Sequence, residues 1–296
     1  MKLIESHYEI IPQAPGLEGI YKQIEIAARN CYKSESFIKE GSAEKMVEAL
    51  IKRGHGSPLE HGTVYLTLKW WQIGKKIKYL FNPYSKIKRL KYVTTNFRVL
   101  LEHLWLNDTE CMCEPTEYHE KRYTVRFVCS RSISHEIVRH RVMSFCQESQ
   151  RYVNYSLDKF GKDIVYIIPK WVKEKIDYLA DTYDPIEKTK RDWLVNMPVE
   201  EAIKDYGHVL DGAIMCWCKN LERDEIDYMY LVNTCNLKPQ EARSVLPNDC
   251  KTDIITTGFA SDWKHFFNLR TSSAAHPDVR ELACPLEAEF KLKYYI

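Results

Sequence analysis

The passage from Tyr123 to Phe145 restricts the fold more than any other part of the chain. Tyr123-Thr124-Val125-Arg126-Phe127-Val128 has a strand pattern and runs into apolar positions at helical spacing from Ile133. Projected at about 100° per residue, Ile133, Ile137, Val138, Val142 and Phe145 share one broad apolar face. His135, Glu136, Arg139, His140 and Met143 occupy the other, and Arg141 falls in the middle of the apolar arc. A buried, unpaired guanidinium costs several kcal/mol. Either the helix stops before Arg141, or Arg141 points into a buried site that holds an anion.

The rest of the chain mixes the same two patterns. Residues 20–32 and 43–53 repeat at helical spacing, Gly54 to Pro58 ends the second helix, and Thr63 to Leu68 alternates as a strand. Helical patterns return at 199–220 and 224–236, Pro239 and Pro247 bracket a short helix, and Asp262 to Leu269 reads as another. No internal repeat or low-complexity tract divides the 296 residues, so they are expected to form one domain, 1–296. Hydrophobic residues make up 45% and charged residues 28%, the balance of a soluble globular chain, and a net charge of +2 gives no global polyanion signal. None of the ten cysteines forms a C-x-x-C pair, which argues against a structural metal and for reduced thiols in the cytoplasm. The N-terminus lacks an apolar signal core, and no apolar run approaches the roughly 18 residues of a membrane span.

From His61 to Leu101 there is no acidic residue, while eight lysines and arginines between Lys75 and Arg98 are interleaved with Trp70, Trp71, Tyr79, Phe81, Tyr84, Tyr92 and Phe97. Such a segment suits a nucleic-acid groove, with charges for phosphates and rings for stacking. The alternative is a solvated basic face over core aromatics, balanced by the acidic stretch Asp108 to Glu120. The near-neutral chain favours the second reading.

Ser144, Gln147, Glu148, Ser149, Gln150 and Arg151 follow Arg141 closely and supply hydroxyls, amides, a carboxylate and a second guanidinium. That donor and acceptor set suits a phosphorylated, hydrogen-bonding ligand such as a pyrimidine nucleotide, with arginine's planar fork on the phosphate. The block Arg139-His140-Arg141, seven residues, Ser149, one residue, Arg151 resembles the signature of flavin-dependent thymidylate synthases. Three more blocks resemble that family in the same order. They are His55-Gly56-Ser57-Pro58-Leu59-Glu60-His61, then Glu241 to Pro247 around Arg243, then Trp263 to Arg270.

The resemblance implies an α+β fold with a central, mostly antiparallel sheet flanked by helices, assembled as a homotetramer. It implies reductive methylation of dUMP to dTMP, with methylenetetrahydrofolate as carbon donor and FAD, reduced by NADPH, as hydride source. His55, Ser57, Glu60, Arg139, His140, Arg141, His265 and Asn268 would then contact FAD. Glu136, Gln147, Ser149, Arg151, Arg243 and Arg270 would bind the nucleotide, with Arg270 and Ser149 closest to the chemistry. Ser149 reads as a dUMP ligand and not a nucleophile, because no base–orienter pair stands beside it. Phe259 and Ser261 depart from the Asn and Arg of some relatives, and Glu136 stands where some carry Gln. Residues 72–118 and part of 157–198 look like insertions.

A cysteine-dependent thymidylate synthase is disfavoured, since Cys284 precedes Pro285 and no P-C pair exists. Two alternatives stand beside the main expectation: a flavin enzyme acting on another pyrimidine nucleotide, and a nucleic-acid-binding protein using 61–101. An active site shared between subunits would bury Arg141 against a neighbour.

Overall fold

The structure, a computed structural model, describes residues 1–151, 153–157, 163–182 and 211–294. Among these the strands are β1 (Lys2–Ile4), β2 (His7–Ile10), β3 (Thr63–Thr67), β4 (Lys86–Lys88), β5 (Tyr92–Asn96), β6 (Arg122–Ser130), β7 (Ser144–Gln147), β8 (Val165–Ile167) and β9 (Lys251–Phe259). The helices are α1 (Gly16–Tyr32), α2 (Ser42–Lys52), α3 (Ile73–Leu80), α4 (Phe97–Glu102), α5 (Arg131–Ile137), α6 (Lys170–Thr182), α7 (Gly212–Asn233), α8 (Pro239–Ala242), α9 (Ala260–Arg270) and α10 (Pro277–Tyr294).

Strands β2, β6, β9 and β7 form the central sheet in that order, every neighbour antiparallel, as the α+β expectation requires. β6 and β9 pair along their full length, from Arg122 opposite Phe259 to Ser130 opposite Lys251. β9 escapes a sequence reading for a physical reason. Eight of its nine residues are buried, so the polar–apolar alternation that marks a half-exposed strand is missing.

On one face Val125, Phe127 and Ile254 pack under Trp263 and Phe266 of α9 and Leu282, Leu286 and Phe290 of α10. Trp263, Phe266 and Phe290 are each fully buried, and burial of such a side chain contributes about 1.5–3 kcal/mol. That packing fixes α9, whose last residue is Arg270. α10 was not anticipated because it contains Pro285, a residue that ordinarily breaks a helix interior. α1 covers the other face, where Ala27 meets Cys146 and Ile255.

A second antiparallel sheet, β3-β5-β4, shares a core with α1 and α2. Residues 72–118 therefore contribute two of its three strands and pack into the main body. The aromatics of the basic segment divide: Tyr79 and Phe97 are core, whereas Trp70, Trp71, Phe81 and Tyr84 are exposed. The expectation that they are core holds only for the first group. Lys75 and Lys78 turn inward onto the buried carboxylate of Asp108, at 3.0 and 2.5 Å.

The helical patterns expected at 199–220 and 224–236 lie partly outside the described residues. What is described is one continuous helix, α7, from Gly212 to Asn233. No helix among the described residues is long and apolar enough to cross a membrane.

Candidate active site

The helix expected from Ile133 to Phe145 is short. α5 begins under the Ser130 side chain, whose Oγ accepts from the Ile133 amide at 3.3 Å, and ends at Ile137. Residues 138–143 turn, and Ser144 to Gln147 become β7, paired with Thr257 to Ile254 of β9. The projection that put Arg141 on an apolar arc therefore does not apply, and of the two readings of Arg141 the earlier helix end is the correct one. In the single chain Arg141 is exposed on the turn, not buried. Arg139 is exposed beside it, and neither guanidinium has a hydrogen-bond or ion-pair partner among the described residues.

This turn meets the end of α9. Arg270 donates through Nε to His140 Nε2 at 2.8 Å and through one terminal nitrogen to the Glu136 carbonyl at 2.8 Å, while the other pairs with the Glu136 carboxylate. Three predicted residues thus join across 130 and 134 positions of sequence. His265 lies beside them, its ring centroid 6.0 Å from that of His140. Asn268 is exposed on the same helix.

A second group gathers around an open pocket of about 360 Å³ between α1, the Ser57–His61 turn and β7, lined by Cys31, Tyr32, His55, Ser57, Phe145, Cys146 and Gln147. His55 shares a hydrogen bond with the Tyr32 hydroxyl at 3.1 Å, and Ser57 Oγ donates to the Phe145 carbonyl at 3.1 Å. Gln147 donates its amide to Ser134 Oγ (2.8 Å) and Thr252 Oγ1 (3.2 Å). Gln147 also lines the pocket.

The remaining predicted residues sit differently. The Glu60 carboxylate is held by Arg98 at 2.6 Å. Ser149 Oγ accepts from the Arg151 amide at 3.4 Å, with no imidazole or carboxylate hydrogen-bonded to it among the described residues. Arg151 and Arg243 are exposed, and Arg243 stands on a separate turn after α8.

Several structural supports were not singled out from sequence. Arg122, itself buried, bridges the 55–61 block to β7, donating to the Glu60 carbonyl (3.0 Å), Thr63 Oγ1 (3.3 Å) and Ser144 Oγ (3.3 Å). Its burial lowers its pKa to about 10, against the opposing pull of Tyr65 and of the Glu60 and Asp262 carboxylates. Lys33, Lys251 and Arg126 surround the buried carboxylate of Asp253, with Glu148 beside them. Only the presence of lysines and acids hinted at this; their pairing depends on β9 and the end of α1 meeting.

Burial, then Arg270 and His265, lower the pKa of His140 to about 4. Burial and Arg122 lower that of His61 to about 3. Both histidines are neutral at neutral pH, and His140 can accept the Arg270 N–H only in that form. The ordinary histidine value is about 6.5. Between about 6.5 and about 4 the unfolded chain therefore binds protons that the folded chain does not, and stability falls as pH falls. The Tm is expected to drop steadily from pH 7 to pH 5, with His140 still neutral by NMR at pH 5.5. A charged imidazole at that pH, or a Tm that rises on acidification, would contradict the assignment.

The sequence family described as thymidylate synthase complementing protein matches residues 114–294. The 55–61 block lies outside that span. Curated relatives named flavin-dependent thymidylate synthase include one from Pyrococcus furiosus, 28% identical over 155 residues (52% of this chain, 48% of the relative). Another, from Clostridium tetani, is 31% identical over 162 residues, 55% of each chain. The one from Mycobacterium tuberculosis is 31% identical over 157 residues, 52% of this chain and 51% of its own. The chain thus spans about half the length of the curated relatives it matches. A solved structure of a UMP/dUMP methylase, PolB from Streptomyces cacaoi bound with 5-Br dUMP, aligns over 99% of this chain and 93% of its own. At 16% identity and a TM-score of 0.44 the likeness is loose.

Proposed function

The chain belongs to the thymidylate synthase complementing protein family, and we propose that it is a flavin-dependent thymidylate synthase that methylates dUMP. The observation that carries the proposal is the joining of Arg270 to Glu136 and His140, which unites two of the family-like blocks in one cluster. The names of the curated relatives supply the flavin and the product.

The residues present fit a flavin dinucleotide. Arg139 and Arg141 offer two exposed guanidinium groups for its phosphates, and His55 and Ser57 stand at an open pocket beside Gln147. FAD, when bound and reduced by NADPH, supplies the hydride, and methylenetetrahydrofolate the carbon. The protein's own groups bind and orient. Arg270 would present its guanidinium to the anionic nucleotide while Glu136 and His140 hold it in place. Neutral His140 adds no second positive charge at that point. Ser149, Gln147 and Arg151 would hold the nucleotide from the β7 side. A homotetramer completes the proposal, since exposed Arg139, Arg141 and Arg243 have no partner among the described residues and would be met by a ligand or a neighbouring copy.

The test is the absorbance spectrum of the purified chain, followed by tritium release from C5-labelled dUMP with methylenetetrahydrofolate and NADPH. A yellow protein with a flavin band and tritium release is expected. Colourless protein that fails to take up added FAD would sink the proposal. Release that requires a pyrimidine nucleotide other than dUMP would shift the substrate but not the chemistry.

A further inference from the structure

Cys31 and Cys146 meet on the wall of the pocket that also holds His55, Ser57 and Gln147. Their thiols share a hydrogen bond, and Ser57 Oγ lies 3.9 Å from Cys146 Sγ. The backbones that carry them are tied on both sides of the sulfurs. Asn30 Nδ2 donates to the Cys146 carbonyl at 3.1 Å, and the Ser149 amide donates to the Cys31 carbonyl at 3.1 Å. α1 and β7 are thus held side by side at the two cysteines, and Cys31 packs against the cluster that contains Cys146, the proximity that a bridged pair requires. The pair is also asymmetric. Cys31 is partly exposed at the pocket, whereas Cys146 is buried behind it. The hydrogen bond from Cys146 favours the Cys31 thiolate and lowers its pKa, while the same bond and burial raise that of Cys146.

We propose that Cys31 and Cys146 form a redox-active dithiol, with Cys31 the thiol that a peroxide oxidises and Cys146 the thiol that resolves it. In the first step the Cys31 thiolate attacks a peroxide oxygen, giving Cys31 sulfenic acid and, with one proton taken up, a molecule of water. In the second the Cys146 sulfur attacks the sulfenic sulfur, the S–S bond forms, the S–O bond breaks, and the hydroxide leaves with the Cys146 proton as water. Two thiols lose two electrons and two protons, and one hydrogen peroxide becomes two waters. The Cys31 side chain then leaves the pocket wall that it shares with Ser57 and Gln147.

The experiment exposes the purified protein to hydrogen peroxide, quenches it by alkylation and maps the peptides by mass without reduction. The expected result is a linked pair of peptides carrying Cys31 and Cys146, two protons lighter than their sum and separated again by dithiothreitol. With Cys146→Ala, Cys31 should remain a sulfenic acid and take up dimedone, which it does not in the unaltered chain. Dimedone uptake or sulfinic acid at Cys31 in the unaltered chain without the linked peptide would overturn the proposal, as would linkage of Cys31 to another cysteine. The consequence for the pocket rests on the flavin reading: oxidised protein should release FAD and rebind it after dithiothreitol. Unchanged FAD retention by fully linked protein would overturn that consequence alone. A chain that never held flavin would still be decided on the dithiol by its peptide map.

Discussion

Replacing Arg270 with alanine is expected to lower dUMP-dependent tritium release by about 10²- to 10⁴-fold while leaving the chain folded. The estimate takes two charge-assisted hydrogen bonds to the nucleotide at about 1.5–3 kcal/mol each, with each 1.36 kcal/mol a factor of ten. Within the protein the same change frees Glu136 and His140. Glu136 is 30% exposed, so water can take up its carboxylate, and His140 is neutral, so no buried charge is stranded. The stability loss should accordingly stay near 1–2 kcal/mol, the ordinary range for a point substitution, with a Tm shift of only a few degrees. Arg270→Lys should recover little of the activity, since a single ammonium cannot reproduce the fork that grips Glu136 and His140 together. Near-normal tritium release from well-folded Arg270→Ala protein would remove Arg270 from the site.

That Arg270 and the Arg139–Arg141 turn belong together was legible only as a shared family resemblance. Nothing local to either block states that Arg270 reaches Glu136 across 134 positions. The same distinction runs through the fold. β6 was visible because Tyr123, Val125 and Phe127 alternate with Thr124 and Arg126, whereas β9, its full-length partner, shows no such polar–apolar alternation, eight of its nine residues being buried. The overextended helix shows two periods competing over one stretch. Val142 and Phe145 fit a helical face, yet Ser144 to Gln147 alternate buried and half-buried and pair with β9, and the sheet decides. The blocks themselves marked the site because they carry its chemistry. Their supports, Arg122 and the Lys33–Asp253 cluster, are ordinary charged residues whose significance comes from burial, a tertiary property.

The second large effect is expected at Asp253, which touches no predicted site residue. Its carboxylate is fully buried and receives Lys251 at 2.9 Å, Arg126 at 2.8 Å and Lys33, all on one oxygen. Burial alone would raise its pKa, but the three cations outweigh that and hold it well below the usual carboxylate range. Lys33 also closes α1 in the left-handed conformation, φ 49°, where glycine is the usual residue and any other side chain costs about 1–2 kcal/mol. Its ammonium grip on Asp253 offsets that cost and anchors the end of α1 to β9. Asp253→Ala would leave three cations facing each other with only Glu148 to balance them, and breaking a buried ionic group in this way costs about 3–5 kcal/mol. The expected loss of Tm is roughly 6–20 °C, from about 2–4 °C per kcal/mol for a chain of this size class. A Lys33→Met, Asp253→Ala double variant should lose less than the sum of the two single changes, because the first removes a charge that the second strands. The acid limb follows from the sign of the shift. A carboxylate depressed in the folded state stabilises it above the unfolded value near 3.9, and that contribution is lost progressively as pH falls below it. The unaltered chain should therefore show an acid transition below about pH 4 that Asp253→Ala lacks. If the variant melts within a degree or two of the unaltered chain at pH 7, the cluster is not what fastens α1, and with it Cys31 and Tyr32, to the floor of the site.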